Sequence, residues 1–576
     1  MPPPPPPETE PESGGDPAVS VAECLRLLEA VPAAASSSPA FRRHWPSISA
    51  SLAALSAALS SPSFPPAAPL LSPLAAALSA LLSATAADAP RLGHLHTVSL
   101  LSSSAASLAQ LAADARLLAA PPPPPSSSAS SSGAADSSTD ALVSRLRQGS
   151  AASRAAALEE LASTAASLPS SAAALAVPAV AALLDSAGAC GDILPSTRER
   201  AVAVLAAFAS SSAACRFLSE ESLSASVVPH LCRALESSGG GAAEHACLAL
   251  LPLTAASRDA AAAVAARGGV AALLSACAGG TPAAQASAAG VLRNLASFPD
   301  LLPWFLDEPA AVPLLLQLVS LGTPRAQELA LACLQNLTSA AGTAGGGDDG
   351  HQQRLRVEAF QEGALAFVRD YLDAAGTRGG GDEPAGLAPA LGFLRNMASF
   401  RYIAEIASGF AAHVAAALGS DRSATRTEAA LALAELCGNA GGKTRREVVE
   451  EEAVVRRLVW MMDAAKAACE RGAAARALAA LMAASGACRK AFQKDERGVA
   501  AAVRMLDPAA GGRDEDRRFA VAVLVAVAQS RRCRKQMVAA GACGFVQGMV
   551  AEEVEGAKKL AECLGKGKML GVFPRT

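Results

Sequence analysis

The sequence predicts an all-α chain of stacked helical repeats, and three observations predict it. A helical apolar run ending in Leu-Arg-Asn-Leu-Ala-Ser at 292–297 returns as Leu-Gln-Asn-Leu-Thr-Ser at 334–339 and as Leu-Arg-Asn-Met-Ala-Ser at 394–399. A second phrase, Cys-Arg, follows the same slot by seven or eight residues at Cys215-Arg216, Cys488-Arg489 and Cys533-Arg534. The chain is 51% hydrophobic but only 3% aromatic, and its apolar content is mostly Ala and Leu. That composition favours closely packed helices over sheets, which need more β-branched and aromatic residues.

Aligned on the slot of Asn294, fainter echoes bring positions 160, 207, 252, 294, 336, 396, 435, 480 and 526 into one register. Most steps are 39 to 47 residues, and the one step of 60 contains two Gly-rich insertions. A period near 40 with helical patterning alone predicts an armadillo or HEAT-like right-handed α-solenoid, preceded by a small helical bundle. Such a fold points to binding rather than to chemistry.

Taken in order, residues 1–19 form a Pro/Glu-rich tail expected to lack structure. Residues 20–118 carry interrupted helical patterns, broken by prolines such as Pro39, Pro62 and Pro90, and predict four helices. Residues 119–139 hold five consecutive prolines and a Ser/Gly run, which predicts a linker, with Asp140 as the cap of the first array helix, Ala141–Arg147. The array is expected over 140–565, about nine or ten repeats, with loop insertions at 340–350 and 374–385. A basic tail, 566–576, closes the chain. In the best copy, Val270–Ala278 is the second helix and Ala283–Ser297 the third. Pro282 sits just inside the third, where a missing amide costs nothing, and Thr323-Pro324 repeats the device.

Net charge is −3 and the pI about 6.2, which speaks against a general nucleic-acid binder. Residues 531–576 hold nine Lys and Arg against four Glu, so this end reads either as a solvated helix cap or as a contact for an anionic membrane. Thirteen Cys lie scattered, mostly on apolar helix faces and without a Cys-x-x-Cys pair, as expected of buried thiols in a reducing compartment. The N-terminal Met-Pro run is no signal peptide, and the longest apolar runs are about half of a bilayer span. A cytoplasmic or nuclear protein is the expectation.

Searches for chemistry return little. Gly438 through Thr444 ends in Gly-Lys-Thr, but the earlier position that a phosphate loop reserves for Gly is Cys437, and the segment before it is helical in pattern. The pairs His230-x-Cys232 and His245-x-Cys247 point to opposite sides of predicted helices and cannot chelate one ion locally. No catalytic residue, cofactor, metal site or small-molecule substrate is expected, and the partners are expected to be other proteins.

The recurring Asn is the candidate site. Third helices of an armadillo array line a groove, and an Asn amide can hold the backbone of an extended peptide without reading its sequence. Asn294, Asn336 and Asn396 occupy one slot in three successive repeats, flanked by Arg293, Gln335 and Arg395. Two readings stand side by side: a peptide-binding groove, or hydrogen bonding from helix to helix within the array.

Over about 140–565 the array resembles plant armadillo-repeat proteins related to the plant U-box ligases and vacuolar docking proteins. The segment Phe41-Arg42-Arg43-His44-Trp45-Pro46-Ser47-Ile48 resembles the helical domain that precedes the U-box in those ligases and that also occurs in relatives without one. The basic ending, Lys558-Lys559 through Lys566-Gly567-Lys568, is similar to the family's usual one. A U-box needs about 70 residues between bundle and array, and the roughly 20-residue linker at 121–139 is too short for any domain. The resemblance therefore implies an adaptor without ligase activity. A substrate-recruiting ligase component and a membrane-peripheral docking protein are its competitors. Importin-α matches less well: it carries Trp one turn before each Asn, where this chain has Gly290, Ala332 and Gly392.

Overall fold

The computed structural model describes residues 20–36, 44–62, 64–65, 70–85, 94–119, 133–165, 167–189, 195–211, 215, 218, 221–237, 240–339, 349–377, 383–399, 408–439, 451–507 and 514–569. Among these it is all-helical, with no strand, and consistent with an α-solenoid. The chain divides into two compact units, Met1–Ala256 and Ser257–Thr576.

In the first unit, helices Val21–Ser36, Trp45–Leu59, Leu71–Thr85 and His94–Ala119 close around one apolar cluster that includes Cys24, Ile48, Leu55, Leu74, Leu78 and Leu108. Among the described residues six further helices follow in two rows. Gly133–Gln148, Ser170–Ala189 and Glu221–Leu235 stack as one row, and Ala151–Thr164, Pro195–Ser210 and Gly240–Ala256 as the other.

Two expectations change here. The helix expected to open the array begins at Gly133, so Asp140 lies in its interior rather than capping it, and part of the expected linker is helical. The division into units falls after Ala256, inside the predicted array, and not at 119–139. Contacts local to that junction explain why it does not separate. The fourth helix packs on Gly133–Gln148, and the buried Asp114 carboxylate accepts a hydrogen bond from the Ser150 amide at 2.9 Å. Residues 120–132 of the linker, and Phe41–Arg43, lie outside the described residues.

The second unit shows the repeat most clearly. An inner row stacks Pro282–Ala296, Pro324–Thr338, Leu387–Ala398, Ser423–Asn439, Ala468–Ala484 and Asp514–Val527, each on the next. An outer row stacks Gly269–Gly279, Ala311–Leu321, Ala364–Thr377 and Ala411–Ala417. Neither row can bury its apolar face alone; each outer helix packs on the inner helix that follows it.

Local sequence fixes the turns. Thr281 and Thr323 cap the inner helices, their hydroxyls accepting from the Ala284 and Ala326 amides, and Pro282 and Pro324 take the first helical position. Replacing such a cap with Ala costs about 1 kcal/mol. Gly268 and Gly363 hold positive φ immediately before outer helices, and Gly541 before the helix Ala542–Ala551, a left-handed step that side-chain-bearing residues adopt only with strain. The Cys-Arg phrase also gains a physical account. Cys488 and Cys533 are buried in short helices capped by Ser485 and Ser530. The Arg534 guanidinium donates to the Ala528 and Gln529 carbonyls, which lie just beyond the Asp514–Val527 helix.

The expected insertions are shorter than the sequence suggests. Helix Asp349–Gln361 starts inside the first, and Ala364–Thr377 runs into the second. Residues 340–348 and 378–382 lie outside the described residues. Helix Ala557–Met569 likewise runs into the expected tail, of which 570–576 are not described. Among the described residues no single helix is long and apolar enough to cross a membrane.

Candidate functional site

The recurring six-residue phrase ends three of the inner helices, and its geometry explains its composition. The last carbonyls of an α-helix have no partner within it. The Ser297 amide turns back to the Asn294 carbonyl, three residues away, which leaves the Arg293 carbonyl without its usual donor. The Asn336 side-chain amide supplies one from the next repeat, at 3.0 Å. The pattern returns one repeat later. The Ser339 amide turns to the Asn336 carbonyl, and the Asn396 side chain donates to the Gln335 carbonyl at 2.8 Å and to the Thr338 hydroxyl at 3.2 Å. The Ser297 and Ser399 hydroxyls donate to the Asn294 and Asn396 carbonyls and close the helix ends.

Of the two roles the sequence leaves open for Asn, these hydrogen bonds are those of a brace. Asn294 and Asn396 are only 6% and 5% exposed, and their side-chain oxygens accept from the Arg293 and Arg395 guanidinium groups. The amide donors of Asn336 and Asn396 point into the neighbouring helix rather than toward solvent.

What the braces set side by side is the preceding residue. Arg293, Gln335 and Arg395 stand at one level on three consecutive inner helices, each half-buried. Gly392 matters here: a Cβ at that position would collide with the Gln335 side chain, so the glycine lets Gln335 lie flat across the next helix. Gln335 then donates to Glu428 Oε1 at 3.4 Å, and Arg395 to Glu428 Oε2 at 2.8 Å. Burial holds the Glu428 carboxyl above its ordinary value, opposed by Arg395 and by the Gln335 hydrogen bond. Arg293 has no carboxylate partner among the described residues; its guanidinium touches only the Asn294 oxygen.

Farther along the row, Glu435 and Glu470 are each paired with an arginine. Glu435 meets Arg476. Arg426 holds Glu470 through two guanidinium nitrogens, at 2.7 and 3.1 Å, with Ser423 adding a hydroxyl at 2.6 Å. Both partners are almost fully buried. Burial alone would raise the Glu470 carboxyl, but the Arg426 and Ser423 hydrogen bonds outweigh it and hold it below its ordinary value. Sequence reading missed Glu428 and the Arg426–Glu470 pair. The one local signal was Glu470, in the slot that Ala284 and Ala326 hold in earlier copies.

Among the described residues no group of His, Cys, Asp and Glu could hold a metal ion. His230 does not pair with Cys232 but meets Asp185 at 2.7 Å, and the corresponding His413 meets Asp373 at 2.8 Å. The helix preceding the Gly-Lys-Thr segment runs to Asn439, and residues 440–450 lie outside the described residues. Cys277 and Cys333 are buried, and burial pushes the Cys277 thiol up to about 12 and the Cys333 thiol higher still.

No protein-family model matches this chain, and no curated protein does. Its likeness is to solved structures. One, the crystal structure of an engineered protein, superposes with a TM-score of 0.57 at 22% identity, covering 74% of this chain and 98% of its own. A second engineered protein covers 44% of this chain and 98% of its own, with a TM-score of 0.37 at 20% identity. The first agrees with the stacked-helix fold and, at that identity, speaks to fold alone.

Proposed function

We propose that the chain is an armadillo-type protein-interaction scaffold, and that partner peptides or domains lie along the inner row of its second unit. The observation that carries this reading is the alignment of Arg293, Gln335 and Arg395 on three stacked helices, one turn above the small residues Gly290, Ala332 and Gly392. A row of half-exposed polar groups suits an extended chain, which offers a donor or acceptor at every residue. Arg293 is the anchor. It is the cation of the row without a carboxylate, so it favours an acidic side chain, while Gln335 and the Arg395–Glu428 pair offer neutral hydrogen bonding. On this reading the first four helices form an N-terminal bundle packed against the start of the array, and the chain acts as a U-box-less adaptor, not as an enzyme. Adaptors of this kind work in the cytoplasm or nucleus, and the location is part of the proposal.

A photo-crosslinking residue at the half-buried position Ala332, introduced in the native cell, tests the site. The same residue at the exposed Arg325 serves as control. Adducts specific to 332 and lost on Arg293→Glu support the proposal. Identical adducts from both positions, or adducts indifferent to Arg293→Glu, overturn it.

A further inference from the structure

A cavity of about 250 Å³ opens in the second unit where the end of Ala364–Thr377, the lead-in to Leu387–Ala398 and the helix Ala411–Ala417 meet. Its walls are apolar: Leu372, Ala375, Pro384, Leu387, Ala416 and Ala417. Glu383 lines it together with Ser420 and His413. The Glu383 carboxylate accepts hydrogen bonds from the Ser420 and Thr425 hydroxyls, both neutral. No Lys, Arg or His among the described residues pairs with it, whereas Glu428, Glu435 and Glu470 each have an arginine. His413 adds no compensating charge, because its Nε2 is engaged by Asp373 at 2.8 Å and the pair is at most neutral. The trio is not a nucleophile relay either. Ser420 is turned to Glu383, and His413 Nδ1 is buried without a partner.

We propose that this cavity binds a primary ammonium carried on a linear alkyl stem. Two sources share that chemistry, a lysine side chain of a partner protein and a free alkylamine. The argument rests on three features. An apolar-walled cavity lined by a carboxylate that has no cationic partner among the described residues is complementary to a group with an apolar stem and a charged head. The volume lies below that of sites for drug-sized ligands and suits a single side chain. Each Glu383 oxygen already holds a hydroxyl, which leaves room for a compact ammonium but not for the two-pronged fork of an arginine.

The test is a titration of the full chain, with its Leu and Val methyl groups ¹³C-labelled, by n-pentylamine, n-pentanol and Nα-acetyl-lysine methylamide. Saturable shifts at Leu372 and Leu387 are expected with the amine, and binding of the alcohol should be roughly tenfold weaker or more, the usual worth of a hydrogen bond to a charged group. Glu383→Gln should abolish the preference for the amine. Ala416→Phe, at an exposed position on the cavity wall, should block both ligands while the remaining methyl spectrum stays unchanged. Binding of the lysine amide as well assigns the site to a partner's side chain; binding of pentylamine without it assigns the site to a free amine. Equal binding of amine and alcohol, or no saturable shift at these two leucines, overturns the proposal.

Discussion

The side-chain amide of Asn336 donates to the main-chain carbonyl of Arg293, 3.0 Å away and 43 residues earlier in the chain. One repeat later Asn396 makes the same bond to Gln335. In both steps the later repeat therefore repairs the frayed helix end of the one before it, and the two helices are locked at a single level.

Removing the donor should cost stability. Asn336→Ala and Asn396→Ala each lose a hydrogen bond and leave a carbonyl unsatisfied, a loss of about 1–3 kcal/mol per site. Urea denaturation checks this. Asn396→Asp is the sharper variant, since it keeps the size and the acceptor for Arg395 but turns a carboxylate oxygen, in place of a donor, toward the Gln335 carbonyl.

The Arg426–Glu470 pair should be the costliest single ion pair to break. Glu470→Gln leaves a guanidinium buried and uncompensated, which costs about 3–5 kcal/mol. The Trp460 ring, 5.2 Å from that guanidinium, provides only weak compensation. Replacing both partners by apolar residues of similar volume should recover much of the loss.

Two carboxylates give opposite pH signatures. Glu470 is held below its ordinary value in the folded chain, so it contributes stability above the unfolded-state value, and that contribution is lost as pH falls through the lowered folded value. Glu428 is held above its ordinary value by burial. The folded state then binds its proton more tightly, and stability declines as pH rises from the ordinary Glu value through the raised one. Chemical denaturation across the acid range should show the first dependence vanish in Glu470→Gln and the second in Glu428→Gln.

In the first unit, Asp114→Ala removes the acceptor for the Ser150 amide, a buried contact between the fourth helix and the start of Ala151–Thr164. A destabilisation of about 1–3 kcal/mol is expected, with faster amide hydrogen exchange at Ser150.

The repeat was legible because its determinants are local. Thr-Pro starts, Asn slots and the serines that close the inner helices recur in sequence because each solves the same problem at each helix end. The braces themselves were half-legible. The Asn slot stood out, but the direction in which its amide points depends on how closely the next helix stacks. Pairs such as Arg426–Glu470 and Glu383–Thr425 were invisible, since their partners lie 44 and 42 residues apart and meet only through stacking. Asp140 misled for the opposite reason. Its cap chemistry was sound, but a helix started at Gly133 instead and absorbed it.

The division of labour within one phrase, Asn as brace and its neighbour as reader, is tested most directly by two single variants measured side by side. For a partner captured at position 332, melting temperature and affinity per folded molecule are determined for Asn336→Ala and for Arg293→Glu. The predicted result is a crossed one: a lower melting temperature with unchanged affinity for Asn336→Ala, and an unchanged melting temperature with salt-dependent loss of affinity for Arg293→Glu. Weakened binding by stably folded Asn336→Ala, with Arg293→Glu indistinguishable from the parent, would contradict the account.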